Sequence, residues 1–162
     1  MRKRKEKKNK IIKICFAASS GGHLHELLML RPLMEKYDSF LVTEKTAYPP
    51  PVGELNCYYL LQVNRRERWW PFRLAGNGLY SLIIMLTEKP DVVICTGVLA
   101  TIPLCLLCKL MGKKLVFIES FANVKTPSLT GRFLYRFSDQ FYIQWPKLKK
   151  YYPEAVYQGG VY

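Results

Sequence analysis

The segment "SSGGH", residues 19–23, holds the most distinctive group of chemically competent residues in the sequence. Gly21 and Gly22 allow the backbone to turn tightly, and a helical pattern starts directly after them. The free N–H groups at the start of such a helix suit a phosphate or a diphosphate, with Ser19 and Ser20 beside it. Because the segment matches neither the Walker A loop nor the dinucleotide fingerprint, a simple strand-to-helix turn explains it equally well.

His23 could transfer a proton at that turn, since an unperturbed histidine has a pKa of ~6.5. It could also hydrogen-bond a phosphate as a neutral donor. A turn histidine that caps a neighbouring loop is a slightly simpler interpretation than either. His25 lies two residues further on, so it points to a different face of the helix and is interpreted as structural.

Glu119 is the second candidate for proton transfer, because it falls at the end of the apolar strand pattern "KKLVFIES", residues 113–120. A carboxylate at such a place costs free energy unless it has polar partners or solvent. It could act as a base or bind substrate hydroxyl groups, and it could equally cap a helix or form a salt bridge. The sequence leaves both interpretations open.

Apolar, β-rich runs alternate with helical patterns along the chain and would position these residues. Strands are predicted at 11–17, 39–44, 57–63, 91–97, 113–120, 139–144 and 152–160, and helices at 22–36, 73–88, 98–112 and 130–138. This alternation predicts an α/β fold, a parallel sheet with helices on both faces. Ligands of such sheets bind beyond the carboxyl ends of the strands, an edge called the rim below. The rim would bring together residues 19–23, Thr96, Gly97 and residues 119–123.

Length and charge indicate one domain, residues 11–162, preceded by a basic tail, residues 1–10. The chain has 162 residues, is 49% hydrophobic and carries a formal net charge of +13. More than half of that charge lies in the first 13 residues, "MRKRKEKKNKIIK", which favours anionic partners such as nucleic acid, anionic lipid or a phosphorylated substrate. The five cysteines lie in apolar surroundings and are interpreted as reduced core residues. No clustered carboxylates or histidines predict a metal site.

The segment "NRRERWWPFR", residues 64–73, mixes arginine with tryptophan and phenylalanine. This composition is typical of a membrane–water interface. Two alternatives are tryptophans packed in the core and single-stranded nucleic acid stacked on them, and the sequence lacks recognisable nucleic-acid-binding motifs. We therefore predict contact with an anionic membrane surface by Arg65, Arg66, Arg68, Trp69, Trp70, Phe72 and Arg73. The charge-free run of residues 92–108 is short for a membrane span and fits a strand, a turn and a buried helix better.

Three longer segments occur in one order: "FAASSGGHLHELLML", "PDVVICTGVLATIPLCLLCKLMGKKLVFIES" and "SDQFYIQWPKLKKYYPEAVYQGGVY". Together they resemble the asparagine-linked glycosylation protein 14 family and its bacterial relatives in capsule and exopolysaccharide synthesis, of the PssD and CpsF type. The resemblance covers residues 11–162. It implies a Rossmann-like domain, the N-terminal half of a GT-B glycosyltransferase of the MurG kind.

The resemblance also implies a function. The chain would be the acceptor-binding subunit of a two-chain inverting glycosyltransferase that moves a sugar from a UDP-sugar to a polyprenyl-diphosphate-linked saccharide. A small partner subunit would bind the UDP-sugar, and no further cofactor is expected. The chain would sit peripherally on the cytoplasmic face of the cell membrane, and it would expose an apolar docking patch near residues 157–162.

The resemblance assigns roles to the rim residues. His23 and Glu119 are the candidate bases, and the acceptor diphosphate would be held by Ser19, Ser20, Gly21, Gly22, Thr96, Gly97 and Asn123. One alternative is an accessory protein that anchors and stimulates a partner carrying all the chemistry. Another is a small nucleic-acid-binding domain driven by the basic tail, which we do not favour.

Overall fold

A computed structural model of the protein describes residues 11–48 and 50–161, so the predicted basic tail lies outside the described residues. Seven parallel strands form one sheet in the order β3-β2-β1-β4-β5-β6-β7. The strands are β1 Lys13–Ala17, β2 Asp38–Glu44, β3 Asn56–Leu60, β4 Val92–Cys95, β5 Lys114–Ile118, β6 Gln140–Ile143 and β7 Val156–Tyr157. The order reverses direction between β1 and β4, and this is where ligands of doubly wound sheets bind.

Five α-helices connect these strands: α1 Gly22–Leu28, α2 Arg31–Lys36, α3 Trp70–Glu88, α4 Ile102–Leu110 and α5 Leu129–Leu134. Short 3₁₀ helices precede α4 at Leu99–Thr101 and follow β6 at Pro146–Lys150. The prediction of a single helix at 22–36 is wrong, because the first helix ends at Leu28. A second helix begins at Arg31, and Pro32 lies in its first turn, where proline is well tolerated. Helix α3 begins three residues earlier than predicted.

Helices pack on both faces of the sheet, as the alternating pattern predicted. One face carries α3, α4 and α5, which bury Met85, Leu104 and Leu134 against the strands. The other face carries α1 and α2, which bury Leu27 and Met34. Because β1, β2 and β4 are buried along most of their length, their sequences read as near-continuous apolar runs, whereas the edge strands β3 and β7 are more exposed.

The α1 and α2 face is covered only in part. Towards β4, β5 and β6, a groove of about 420 Å³ runs between α2 and the segment 158–161. Its apolar floor is formed by Leu30, Leu33, Ile94, Val116, Ile118 and Tyr142. A parallel sheet ordinarily has both faces covered by helices, so this groove is an incomplete layer.

All five cysteines are free thiols, and four of them are buried. Cys57 is the exception, since it is only half-buried on β3 near the edge of the sheet. The predicted core position is therefore confirmed for four of the five.

Candidate functional site

The glycine turn joins β1 to α1 at the rim. Gly21 has a φ of 80°, a conformation that strongly favours glycine, and Gly22 begins the helix. The turn is tied to the neighbouring β4 turn in two places. The N–H of Ser19 donates to the carbonyl of Gly97 at 3.1 Å, and the Thr96 hydroxyl donates to the carbonyl of His23 at 3.0 Å. The first two predicted rim segments therefore form one structural unit.

His23 is half-buried in the first turn of α1, and its Nδ1 atom is buried without a hydrogen-bond partner among the described residues. Burial lowers its pKa below 6.5, while the charges of Glu119 and Glu44 and the backbone of Thr96 act in the opposite direction. Because the net shift is downward, the imidazole is neutral at pH 7. A neutral imidazole has one unprotonated ring nitrogen, which can accept a proton.

Glu119 is 1% exposed, and its carboxylate accepts five hydrogen bonds at the end of β5. The donors are Ser120 N at 3.0 Å, Asn123 Nδ2 at 3.0 Å, Ser128 N and Oγ at 3.1 Å each, and the Tyr152 hydroxyl at 2.8 Å. A carboxylate offers about four lone-pair sites, so this acceptor capacity is filled. The geometry thus favours a structural role for Glu119, which holds the loop after β5, over its predicted role as a base.

The predicted diphosphate ligands are also engaged within the protein. Asn123 is bonded to Glu119, and the Ser20 hydroxyl donates to Glu44 at 3.4 Å. The Ser19 hydroxyl donates to the carbonyl of Ser20 at 3.3 Å. The structure therefore brings these side chains to the rim, where their hydrogen bonds stabilise the loops that follow β1 and β5.

Glu26 is a site residue that the sequence reasoning missed. It lies three residues after His23 on the same side of α1, is 2% exposed, and accepts hydrogen bonds from Phe121 N at 2.9 Å, Ser120 Oγ at 3.3 Å and the Gln144 side-chain amide. Burial raises its pKa to about 7, against the Phe121 and Ser120 donors, which lower it. The missed signal was an acidic residue on the buried, leucine-rich side of an amphipathic helix.

Glu44 is a second site residue that the sequence reasoning missed. It ends β2, a position similar to that of Glu119 at the end of β5. It is 9% exposed, and besides Ser20 it accepts from Val63 N at 3.3 Å. The charge of Glu44 acts to raise the pKa of His23, against the larger effect of burial, so Glu44 is close enough to interact electrostatically with the imidazole. A carboxylate that closes an apolar strand was the signal available in the sequence.

A cavity of about 480 Å³ opens beside the glycine turn. Gly22, His23 and Glu26 line it from α1, and Ser120, Phe121 and Ala122 line it from the loop after β5. Glu119 does not line this cavity. The arrangement combines a proton acceptor and a carboxyl group that can hydrogen-bond hydroxyl groups. Within residues 11–48 and 50–161, no three histidine, cysteine or acidic side chains are grouped to hold a metal ion.

The arginine and tryptophan segment lies away from this cavity and leads into α3. Trp69 and Phe72 are 64% and 70% exposed, with ring centroids 5.5 Å apart, while Trp70 is half-buried at the helix start. Arg65, Arg66 and Arg68 are exposed, and Arg73 pairs with Glu67 at 2.9 Å. Across the described part of the chain, no helix combines the length and apolar character needed to cross a membrane.

Comparison with known protein families matches residues 71–161 to the family described as "Oligosaccharide biosynthesis protein Alg14 like". The human "UDP-N-acetylglucosamine transferase subunit ALG14" is 30% identical over 179 residues, which span 93% of this chain and 83% of the human protein. The Schizosaccharomyces pombe subunit of the same name is 45% identical over 99 residues, 56% of this chain and 47% of that protein.

Solved structures share the fold at low identity. MurG from Acinetobacter baumannii superimposes with a TM-score of 0.65 and 17% identity, over 84% of this chain and 42% of that one. A UDP-N-acetylglucosamine 2-epimerase from Rickettsia bellii gives a TM-score of 0.71 and 12% identity, over 93% of this chain and 45% of that one. The predicted fold, the Rossmann-like fold found in one half of GT-B enzymes, is confirmed. From the family match and the human relative, the chain belongs to the Alg14-like family of oligosaccharide biosynthesis proteins.

Proposed function

We propose that this chain is the acceptor-binding subunit of a two-chain inverting glycosyltransferase that acts on a polyprenyl-diphosphate-linked saccharide. The observation that carries the proposal is the rim cavity, where neutral His23 and a buried carboxyl group lie beside a glycine turn. The relatives are named UDP-N-acetylglucosamine transferase subunits, so UDP-N-acetylglucosamine is the first donor to test. The partner subunit would hold that donor, and the capsule or exopolysaccharide setting stays a prediction.

The reaction would be a direct displacement at the anomeric carbon of the donor sugar. The acceptor hydroxyl oxygen forms the new bond to that carbon, the bond to the UDP oxygen breaks, and UDP leaves with the electron pair. His23 would accept the proton that the hydroxyl group loses, because its imidazole is neutral at pH 7 and borders the cavity. Glu119 is the weaker candidate base, since its carboxylate is already saturated.

The acceptor diphosphate would lie against the backbone N–H groups of the turn at Gly21 and Gly22. The first N–H groups of a helix have no partner within the helix, and their dipoles favour negative charge. Ser19, Ser20, Thr96, Gly97 and Asn123 would position this turn and its neighbours through the hydrogen bonds already described.

The chain would meet the membrane through α3 and the segment before it. Phe72, Leu79, Ile83 and Leu86 form one stripe along α3, and each is between 53% and 70% exposed. Arg65, Arg66 and Arg68 lie at the start of this stripe, where they could contact anionic lipid headgroups. A helix lying in the plane of the membrane, on its cytoplasmic face, would hold a lipid-linked acceptor near the rim.

A transferase assay tests the proposal. Lipid-linked acceptors and radiolabelled UDP-sugars would be given to this chain, to its partner subunit, and to both together. We expect label in lipid only with both chains, and a loss of at least about a hundredfold in rate for the pair with His23→Ala, since general-base catalysis contributes factors of this size. The pair with His25→Ala is the matched control and should keep its rate.

The accessory role is the alternative outcome of the same assay. If the partner alone transferred sugar at the rate of the pair, this chain would not be an essential acceptor subunit. If the His23→Ala pair kept full activity, the chain could still bind the acceptor, but the base would have to lie elsewhere.

A further inference from the structure

We propose that Glu26 binds a hydroxyl group of the acceptor sugar inside the rim cavity, and so selects the sugar that is accepted. This inference rests on the proposed function, since it names the carboxylate that contacts the substrate of that reaction. Glu26 and His23 are one turn apart on the same side of α1, and both line the cavity. A hydroxyl group bound to Glu26 would therefore place the sugar beside His23.

The hydrogen bonds of Glu26 leave room for a ligand. Its Oε1 atom accepts from Phe121 N and the Gln144 amide, and its Oε2 atom accepts only from Ser120 Oγ at 3.3 Å. The carboxylate of Glu119 accepts five bonds, whereas Glu26 accepts three, so a lone pair on Oε2 remains for a sugar hydroxyl.

The protein partners of Glu26 do not require a charge. A glutamine could accept from Phe121 N and Gln144 through its oxygen, and its amide could donate to Ser120 Oγ, a hydroxyl group able to reverse its role. The carboxylate is thus unnecessary for holding the loop, and it is electrostatically unfavourable here. The titratable groups near it are Glu119 at the end of β5, whose charge raises the pKa of Glu26, and His23 on the same helix, which is neutral at pH 7. A buried carboxylate whose charge is not needed by its protein partners points to a role in binding or catalysis.

Gln144 connects the Glu26 carboxyl group to the segment around Val161 through its side-chain amide. Its amide nitrogen also donates to the carbonyl of Glu119 at 2.9 Å, and its oxygen accepts from Val161 N at 2.8 Å. These bonds fix the amide orientation, so the nitrogen faces Glu26. The carboxyl group is therefore held rigidly, as a group that discriminates between sugars must be.

The test compares Glu26→Gln with the wild type in the reconstituted pair, using Glu35→Gln on the exposed surface of α2 as the matched control. The acceptor is the polyprenyl-diphosphate sugar that the wild-type pair uses, together with its monodeoxy analogues that keep the reacting hydroxyl. We expect Glu26→Gln to raise the acceptor KM about tenfold or more, the factor for a hydrogen bond to a charged group. For the wild type, the KM of one deoxy analogue should exceed the KM of the natural acceptor by a similar factor. For Glu26→Gln, the KM values of this analogue and the natural acceptor should be equal.

The outcomes separate the two proposals. If the wild-type pair transfers no sugar, the proposed function fails first. If the wild type is active and Glu26→Gln has the same KM and the same losses with every analogue, the hydroxyl contact is excluded. If Glu26→Gln keeps its KM while Glu26→Ala and Ser120→Ala lower kcat, Glu26 is a positioning residue and the inference is overturned.

Discussion

Glu26 and Glu119 are both buried at the rim, and their surroundings give them different properties. Glu119 closes the loop after β5 with five donors, whereas Glu26 has three and a pKa raised to about 7. Carboxyl groups whose environments differ in this way commonly divide structural and chemical roles. At the scale of single residues, this contrast supports the proposal that the chemistry lies on the cavity side of α1, while Glu119 maintains the loop that faces it.

The raised pKa of Glu26 has a consequence for stability. The folded-state pKa of about 7 exceeds the ordinary value of 4.5, so the protonated carboxyl stabilises the fold below pH 4.5 and this contribution is lost as the pH rises through about 7. Glu26→Gln removes this loss, so we expect it to exceed the wild type in free energy of unfolding at pH 8. The gain has an upper limit of about 3 kcal/mol, reduced because the carboxyl borders a cavity open to solvent.

Chemical denaturation from pH 5 to pH 8.5 would measure this difference. The stability difference between Glu26→Gln and wild type should grow from pH 5 to about pH 7 and then level off, and Glu35→Gln should show no such trend. A difference that is independent of pH would mean that Glu26 does not titrate in this window.

At the scale of elements, the start of α5 depends on a glycine. A Cβ atom at Gly131 would lie 2.7 Å from the Tyr152 hydroxyl and 2.8 Å from Ser128 Oγ, and it would also collide with the Glu119 carboxylate. We expect Gly131→Ala to lower the free energy of unfolding by about 1–3 kcal/mol, the range for overpacked interiors. Gly78→Ala in α3 is the control, because its nearest neighbour would be 3.7 Å away and helical alanine gains about 0.5–1 kcal/mol. Thermal unfolding of both variants measures the contrast, and equal stabilities would contradict it.

Helix α3 gives a prediction for membrane binding. Replacing Phe72 and Ile83 by serine should lower partitioning onto vesicles more than tenfold, since each buried side chain contributes about 1.5–3 kcal/mol. Replacing Arg65, Arg66 and Arg68 by glutamine should lower binding to anionic vesicles only, with a loss that shrinks as salt rises. Co-sedimentation measures both effects.

The control for α3 is Leu110→Ser, because Leu110 is 83% exposed at the end of α4 and lies outside the stripe. It should bind vesicles as the wild type does. Unchanged binding of the Phe72 and Ile83 variant would mean that this chain meets the membrane elsewhere.

The sequence predicts the elements well where periodicity and strand order agree, and less well where local contacts decide. The strands at β1, β2 and β5 follow from apolar runs, and the helix predicted to end at 112 ends at Leu110, just before Gly112 with its φ of 67°. The break between α1 and α2 was missed because the leucine spacing continues across it. Glu26 was missed because only the fold brings Ser120 and Gln144 to its carboxyl group, across separations of 94 and 118 residues.

At the scale of the whole molecule, the groove beside β4, β5 and β6 is the place where the layers are incomplete. The predicted docking patch near residues 157–162 meets it, since the segment 158–161 forms one wall and Tyr157 on β7 is exposed. Trp145 fixes the loop beside that wall, through a bond from its indole to the carbonyl of Phe121 at 2.7 Å. An apolar element of the partner subunit seated here would complete the layer and lie close to Gln144 and the rim.

This placement predicts how the two subunits associate. Leu33 lines the groove from α2 and is half-buried, so Leu33→Gln should weaken binding of the partner subunit by about tenfold or more through lost apolar burial. Leu110→Gln, on the opposite layer, should leave the affinity unchanged, and thermal unfolding should show that both variants remain folded. Titration calorimetry with the partner measures the affinities. Equal affinities for Leu33→Gln and wild type would place the interface outside the groove, and the exposed edge strand β7 would then be the next surface to test, because its unpaired side can add a strand.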